Sequence, residues 1–198
     1  MRTITALYDT HDDALSAVKA LENAGVPSDH ISIVSYKDGK REVEGQGNDA
    51  AEGAGTGAGI GAVVGGAAGL LTGLGMLAIP GVGPVVAAGW LVATAAGAVV
   101  GGAAGGIVGA MIESGISEED ANVYAEGVRR GGSLVAAKVD NDRALSGQAI
   151  LDQSRAVNVP ARRASYSSEG WKQFDDRAEP YTLEQIDQER MRYRNESR

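Results

Sequence analysis

The chain has no cysteine, which excludes disulfides, thiol nucleophiles and cysteine-ligated zinc. Its two histidines, His11 and His30, are too few for a three-histidine metal centre. Positive charge is not in excess: 18 Lys and Arg stand against 26 Asp and Glu, a net charge of −8. That balance argues against nucleic acid as a partner, because binding a phosphate backbone needs a basic face. The opening MRTITALYDTHDD lacks the apolar run that follows a basic start in a secretory signal, so a cytoplasmic setting is expected. The largest absence is internal. From Gly53 to Ile112 there are 60 residues without a charge, and that block holds 19 of the 29 glycines and 15 alanines.

The segments on either side read as an ordinary soluble domain. Thr3 to Tyr8 alternates as a strand. Asp9 or Thr10 then caps a helix whose Ala14, Leu15, Val18 and Leu21 recur at helical spacing, and Gly25 closes it. Ile31 to Tyr36 is a second strand, Lys37 to Lys40 a turn, and Arg41 to Glu44 a short edge strand. After the block, Ser117 with Asp120 starts a helix that stops at Gly131-Gly132. Ser133 to Val139 is a strand, Ala144 to Leu151 a helix, and Ala156 to Val159 a last strand. Two β-α-β units predict an α+β fold, a ferredoxin-like split βαβ sandwich. The polar tail carries isolated aromatics (Tyr166, Trp171, Phe174, Tyr181) and a helix over Thr182 to Arg194, with Gln185 completing a capping box. The organisation expected is 1–52 and 113–163 as two halves of one domain, 53–112 as an insert and 164–198 as a tail.

In the block, Gly53, Gly57, Gly61, Gly65, Gly69 and Gly73 fall every fourth residue, and Gly89, Gly97, Gly101, Gly105 and Gly109 follow the same period with Ala93 between. A four-residue step traces a shallow ridge along a helix, and glycine there lets a second backbone approach closely. Pro80, Gly81, Gly83 and Pro84 form a loop that splits the block into two helical arms, 53–79 and 85–112, a glycine-zipper hairpin. Its apolar tip gathers Leu70, Leu71, Leu74, Leu77, Ile79, Val85, Val86, Trp90, Leu91 and Val92. Arms of roughly 40 Å are long enough to cross a hydrocarbon core of about 30 Å. Against insertion stand the acids Glu52 and Glu113 at its ends and few flanking Lys or Arg. Membrane association and a soluble homo-oligomer with hairpins in its core both remain open.

Other motifs carry little chemistry. Gly57 to Ala62 fits a dinucleotide fingerprint, but it follows no strand and lacks the acid about 20 residues on. Asp9, Asp12, Asp13 and His11 have the residue types of a metal or acid–base cluster, yet acids at a helix N-terminus also serve the helix dipole. Arg129-Arg130 and Arg162-Arg163 read as solvated or helix-end charges. No catalytic, cofactor-binding or metal-binding residue is expected, and no small-molecule substrate is evident.

Thr5-Ala6-Leu7-Tyr8-Asp9, Ala14, Ala17-Val18, Leu21, Gly25 and Ile31-Ser32-Ile33-Val34 resemble the opening of the bacterial heat-induced stress protein family of the YflT type, the general stress protein 17M-like domain. The strand Gly131 to Asp140 and the glycine block are also similar to members of that group. The resemblance implies a non-enzymatic bacterial stress protein without catalytic residues, one that associates with the inner membrane or self-assembles through its hairpin. The long insert departs from the short form of the domain.

Overall fold

The computed structural model describes residues 1–36, 75–79, 82–91, 94 and 106–196. Within them the chain runs β1 (Arg2–Tyr8), α1 (His11–Asn23), a short 3-10 turn (Ser28–His30) and β2 (Ile31–Tyr36). It continues as β3 (Gly75–Ile79), β4 (Gly83–Ala88), α2 (Gly106–Glu113), α3 (Glu118–Arg129) and β5 (Ser133–Val139). Helices α4 (Ala144–Gln153), α5 (Val159–Ser168) and α6 (Leu183–Glu196) complete it. The fold is mixed α+β, as the alternation of strand and helix signals predicts.

The described strands form one five-stranded sheet in the order β1-β5-β2-β4-β3, antiparallel at every junction. Since β5 is antiparallel to both neighbours, β1 and β2 run parallel with β5 between them. The β1-α1-β2 unit is therefore a split crossover. By the same logic β4 and β5 run parallel on either side of β2.

Each element forms for a local reason. Thr10 caps α1, its Oγ1 accepting from the Asp13 backbone N–H at 3.1 Å. Ser117 caps α3 in the same way through the Asp120 N–H, also at 3.1 Å. One sheet face buries Ile4, Ala6, Tyr8, Ile31, Ile33, Val135 and Ala137 under α1 and α4. The other buries Leu7, Val34, Leu134, Ala136, Val85 and Ala87 under α2 and α3. Residues of opposite parity on each strand feed opposite faces, as the two-residue period of a strand demands.

Two expectations need correction. The first is the helical reading of the hairpin. Around its turn the chain is extended: β3 pairs with β4, with Leu77 opposite Val85 and Met76 opposite Val86. β4 in turn pairs with β2, placing Tyr36 opposite Val85 and Ile33 opposite Ala88. The glycine ridge lapses there, because the period-four positions 77 and 85 are leucine and valine. Without the ridge, β-branched residues beside an unpaired strand join the sheet. Gly89 is accordingly not a helix-packing glycine. It bends the chain after β4 at φ +100, and a Cβ there would lie 2.6 Å from the Ser32 Cα and overlap the Ile31 carbonyl. Gly109 does lie on a helix, α2. Gly53 to Gly73, Gly97, Gly101, Gly105, Pro80, Gly81, Leu70, Leu71, Leu74, Val92 and the predicted strand Arg41 to Glu44 lie outside the described residues.

The second correction concerns Ala156 to Val159. It is not a strand. Asn158 caps α5 through the Ala161 N–H at 2.9 Å, and Pro160 sits in the first turn of that helix, where proline loses no hydrogen bond. What remains of strand pairing is one bond, from Val157 N to Leu7 O at 2.8 Å. The neighbouring edge of β1 is closed by the Gln148 amide, which accepts from Thr5 N at 3.4 Å and donates to Thr5 O at 3.1 Å. The sheet is thus not assembled from a second β-α-β copy.

Gly89→Ala is expected to destabilise the protein by about 1–3 kcal/mol, since alanine is strained at that φ and has no room against β2. Hydrogen exchange should show β4 losing protection while the β1–β5 pairing keeps it.

Candidate functional site

The densest chemistry outside the core lies on the outer side of α3, where α5 and α6 pack. Four arginines and three glutamates meet four aromatic rings there. α3 ends in Glu126, Arg129 and Arg130, and the αL turn at Gly131 (φ +93) stops the helix. Arg130 is buried, at 6% exposure, and its partner Glu126 is at 1%. The Arg130 Nε donates to Glu126 at 2.7 Å, and one terminal nitrogen donates to Glu169 at 2.6 Å and Glu189 at 3.0 Å. Its guanidinium lies 4.1 Å from the centre of the Tyr166 ring. Arg192 pairs with Glu169, and Tyr193 donates to Glu189 at 2.5 Å. Arg162 lies 3.5 Å over the Tyr193 ring and binds Asp9 at 2.8 and 3.1 Å.

These partners come from distant parts of the chain: Glu126 and Arg130 from α3, Glu169 from the end of α5, and Glu189, Arg192 and Tyr193 from α6. The capping box of α6 forms as the sequence predicts. Thr182 N donates to Gln185 at 2.8 Å, and Gln185 N donates to Thr182 Oγ1 at 3.3 Å. Apolar packing adds Tyr166 against Val123 and an edge-on contact of Tyr166 with Trp171 at 5.5 Å. Ile186 sits on Gly131, where any Cβ would overlap its Cγ2.

The electrostatics follow from burial set against pairing. Burial opposes the charge on Arg130, but Glu169 and Glu126 outweigh it and raise its pKa above the ordinary arginine value. Burial also works against the Glu169 carboxylate, yet hydrogen bonds from Arg130 and Arg192 hold it below the usual range. Burial pushes the Tyr166 phenol up to about 12, against the opposing pull of Arg162 and Arg130. The carboxylates of the cluster pair with its arginines. Its chemistry is that of a clasp, fixing α5 and α6 to α3.

Of the two readings of Arg129-Arg130 and Arg162-Arg163, solvated or helix-end charges, Arg129 and Arg130 do end α3, but Arg130 is not solvated. Arg130 is a buried cation, Arg162 is largely covered and paired with Asp9, and Arg163 bridges Glu119 at 2.9 Å and Asp120 at 2.6 Å across to the first turn of α3. A readable signal was present: Glu126 and Arg130 stand four apart, the spacing of an intrahelical pair. Its distant partners were not readable. Asp9, Asp12, Asp13 and His11 do not converge on one point. Asp9 serves Arg162, Asp13 serves the α1 cap, and the His11 Nδ1 lies 2.8 Å from Ser35 Oγ, which donates to Ser133 at 2.9 Å. Among the described residues no group of three His, Asp or Glu is placed to hold a metal ion. Of the predicted tip, Leu77 and Ile79 are on β3, Val85 and Val86 on β4, and Trp90 and Leu91 just beyond. Val85 and Leu91 are buried in the domain's own core. Trp90 donates to the His30 carbonyl at 3.1 Å beneath the Lys138 ammonium.

An open cleft of about 660 Å³ adjoins the clasp, lined by Arg129, Trp171, Phe174 and Arg177 among others. No family model, curated protein or solved structure matches the chain.

Removing Arg130 leaves Glu126 buried beside Arg129 alone, so Arg130→Ala is expected to cost about 3 kcal/mol in urea denaturation. A second expectation concerns pH. A carboxyl lowered by folding contributes stability that is present above its ordinary value, near 4.3, and is lost as pH falls through the lowered one. A phenol raised by folding contributes stability that is present below its ordinary value, near 10, and is lost as pH rises toward about 12. Protection factors over α6 should therefore fall at both extremes before those of β5 do.

Proposed function

We propose that this is a non-enzymatic bacterial stress protein that self-assembles through the glycine-rich insert carried on its α+β domain. The observation that carries this reading is how the described middle and C-terminal end of the insert are mounted. β3 and β4 extend the sheet beyond β2, and α2 packs Ile107, Ala110 and Met111 into the core. The domain thus holds the charge-free block at fixed points. The period-four glycines of 53–73 and 97–109 supply a surface suited to close backbone packing.

Attachment to the inner membrane is the second reading, favoured by the lack of charge over the block. Two arguments rank it below self-assembly. Val85 and Leu91, assigned to a lipid-seeking tip, are buried in the protein. With 75–79 and 83–88 in the sheet and Leu91 in the core, a two-pass hairpin has to draw on 53–74 and 92–105. The second stretch, 14 residues, would reach only about 21 Å as a helix, short of a hydrocarbon core near 30 Å. Among the described residues no helix is long and apolar enough to cross a membrane.

Kinship with the YflT-type stress proteins, and a ferredoxin-like ancestry for the split crossovers, belong to the same proposal. They rest on the residues of β1, α1, β2 and β5 quoted above. The non-enzymatic reading rests on the pairing of the charged groups: the acids near the start of α1 serve a cap and Arg162, and the buried charges of the clasp neutralise one another.

Replacing Gly61, Gly65 and Gly69 by leucine tests the proposal. Leucine raises helix propensity and apolarity but fills the ridge. Sedimentation of the purified variant should show a smaller species, and cell fractionation should leave it in the soluble pool. A variant that sediments like the parent would sink the self-assembly reading, and recovery with the membranes would favour the second.

A further inference from the structure

We propose that the outer face of α3 is a docking site for a helix that presents a carboxylate beside an aliphatic side chain, filled within one chain by its own α6 and exchanged between two copies of the chain. The seat has a steric and an ionic part. Its steric part is the hole at Gly131, whose missing side chain is replaced by Ile186. Its ionic part is Arg130, which receives Glu189 at 3.0 Å beside the ring of Tyr166. The partner must therefore present an aliphatic knob, a carboxylate three residues on and an aromatic four beyond that, on one helix face. α6 supplies these as Ile186, Glu189 and Tyr193.

Three observations make exchange the physical expectation. α6 is long but sparsely apolar: of its large apolar side chains Ile186 and Tyr193 are buried, while Leu183 and Met191 are 42% and 54% exposed. A helix of 14 residues is marginal alone in water, so a released α6 has to find a seat to remain helical. The charge complementarity that selects α6 is identical on every copy, and swapping an identical element needs no new interface. The tether permits it. Phe174 is anchored by its N–H to Asn122 at 3.0 Å, and from Asp175 to Thr182 eight residues can extend about 26 Å. Two hydrogen bonds along that tether have to open, Arg129 to the Glu179 carbonyl and the Tyr36 hydroxyl to the Tyr181 carbonyl, and the Tyr181 ring has to leave Arg129 and Arg130.

The test uses two full-length variants. Gly131→Asn blocks the seat, and asparagine tolerates the left-handed backbone there. Ile186→Glu spoils the helix and leaves the seat intact. Each alone should leave α6 undocked, so trypsin cuts after Arg190 and Arg192 about ten-fold faster than in the parent. On mixing, the intact α6 of the Gly131→Asn chain should dock on the intact seat of the Ile186→Glu chain. Protection of that α6 should return, in a 1:1 complex captured through a tag on one variant. Assembly through the glycine block would also bring the chains together, but it would not restore protection. Arg130→Gln serves as a second seat-blocked variant if Gly131→Asn loses helix by circular dichroism. Cleavage of the mixture at the rate of the separate variants overturns the proposal, as does a seat-blocked chain whose α6 stays protected.

Discussion

Strand β5 is covered on both faces, and the rest of the fold follows from that. It hydrogen-bonds to β1 on one side and β2 on the other, so it has no edge. Leu134 and Ala136 enter one core and Val135 and Ala137 the other, all fully buried. A strand without a solvent face needs a helical layer on each side. α1 and α4 supply one and α2 and α3 the other. The alanines keep the strand thin enough for helices to come close on both faces.

The second cover creates a further demand. α3 buries Ala121, Tyr124, Ala125 and Val128 against the sheet and also faces outward, where Val123 and Arg130 are themselves buried. That outer side would expose an apolar patch and an ion pair if nothing lay on it. α5 and α6 meet the need with few apolar groups and many charges. A buried cation is tolerated only when its pairing is complete, and Arg130 has three carboxylates and an aromatic face around it. The ionic clasp is thus less a source of stability than a device that admits one register of the C-terminal helices and excludes others.

Much of this was legible along the chain. Capping residues located α1, α3 and α6, and Gly25 and Gly131 ended the helices they follow, because caps and αL turns are local chemistry. Strands β1, β2 and β5 were legible from alternation and β-branched content. The stretch from Gly75 to Ala88 was not, since a short uncharged run of small and branched residues suits a buried helix as well as a buried strand. The lapse of the glycine period at Leu77 and Val85 was the available sign. Ala156 to Val159 misled for the opposite reason: its alternation was real, but Asn158 and Pro160 were stronger as a helix start.

Chain order and composition alone establish the α+β class, the boundaries of most helices, the absence of thiol chemistry and the uncharged glycine block between two polar segments. These depend on neighbours within a few residues, or on composition. Long-range packing is what puts β5 between β1 and β2, joins β3 and β4 to the sheet, and gathers Glu126, Arg130, Glu169, Glu189 and Arg192 into one cluster. Partners 39 and 59 residues apart meet because the fold brings three helices together, and no local propensity encodes which distant carboxylate a buried arginine will find.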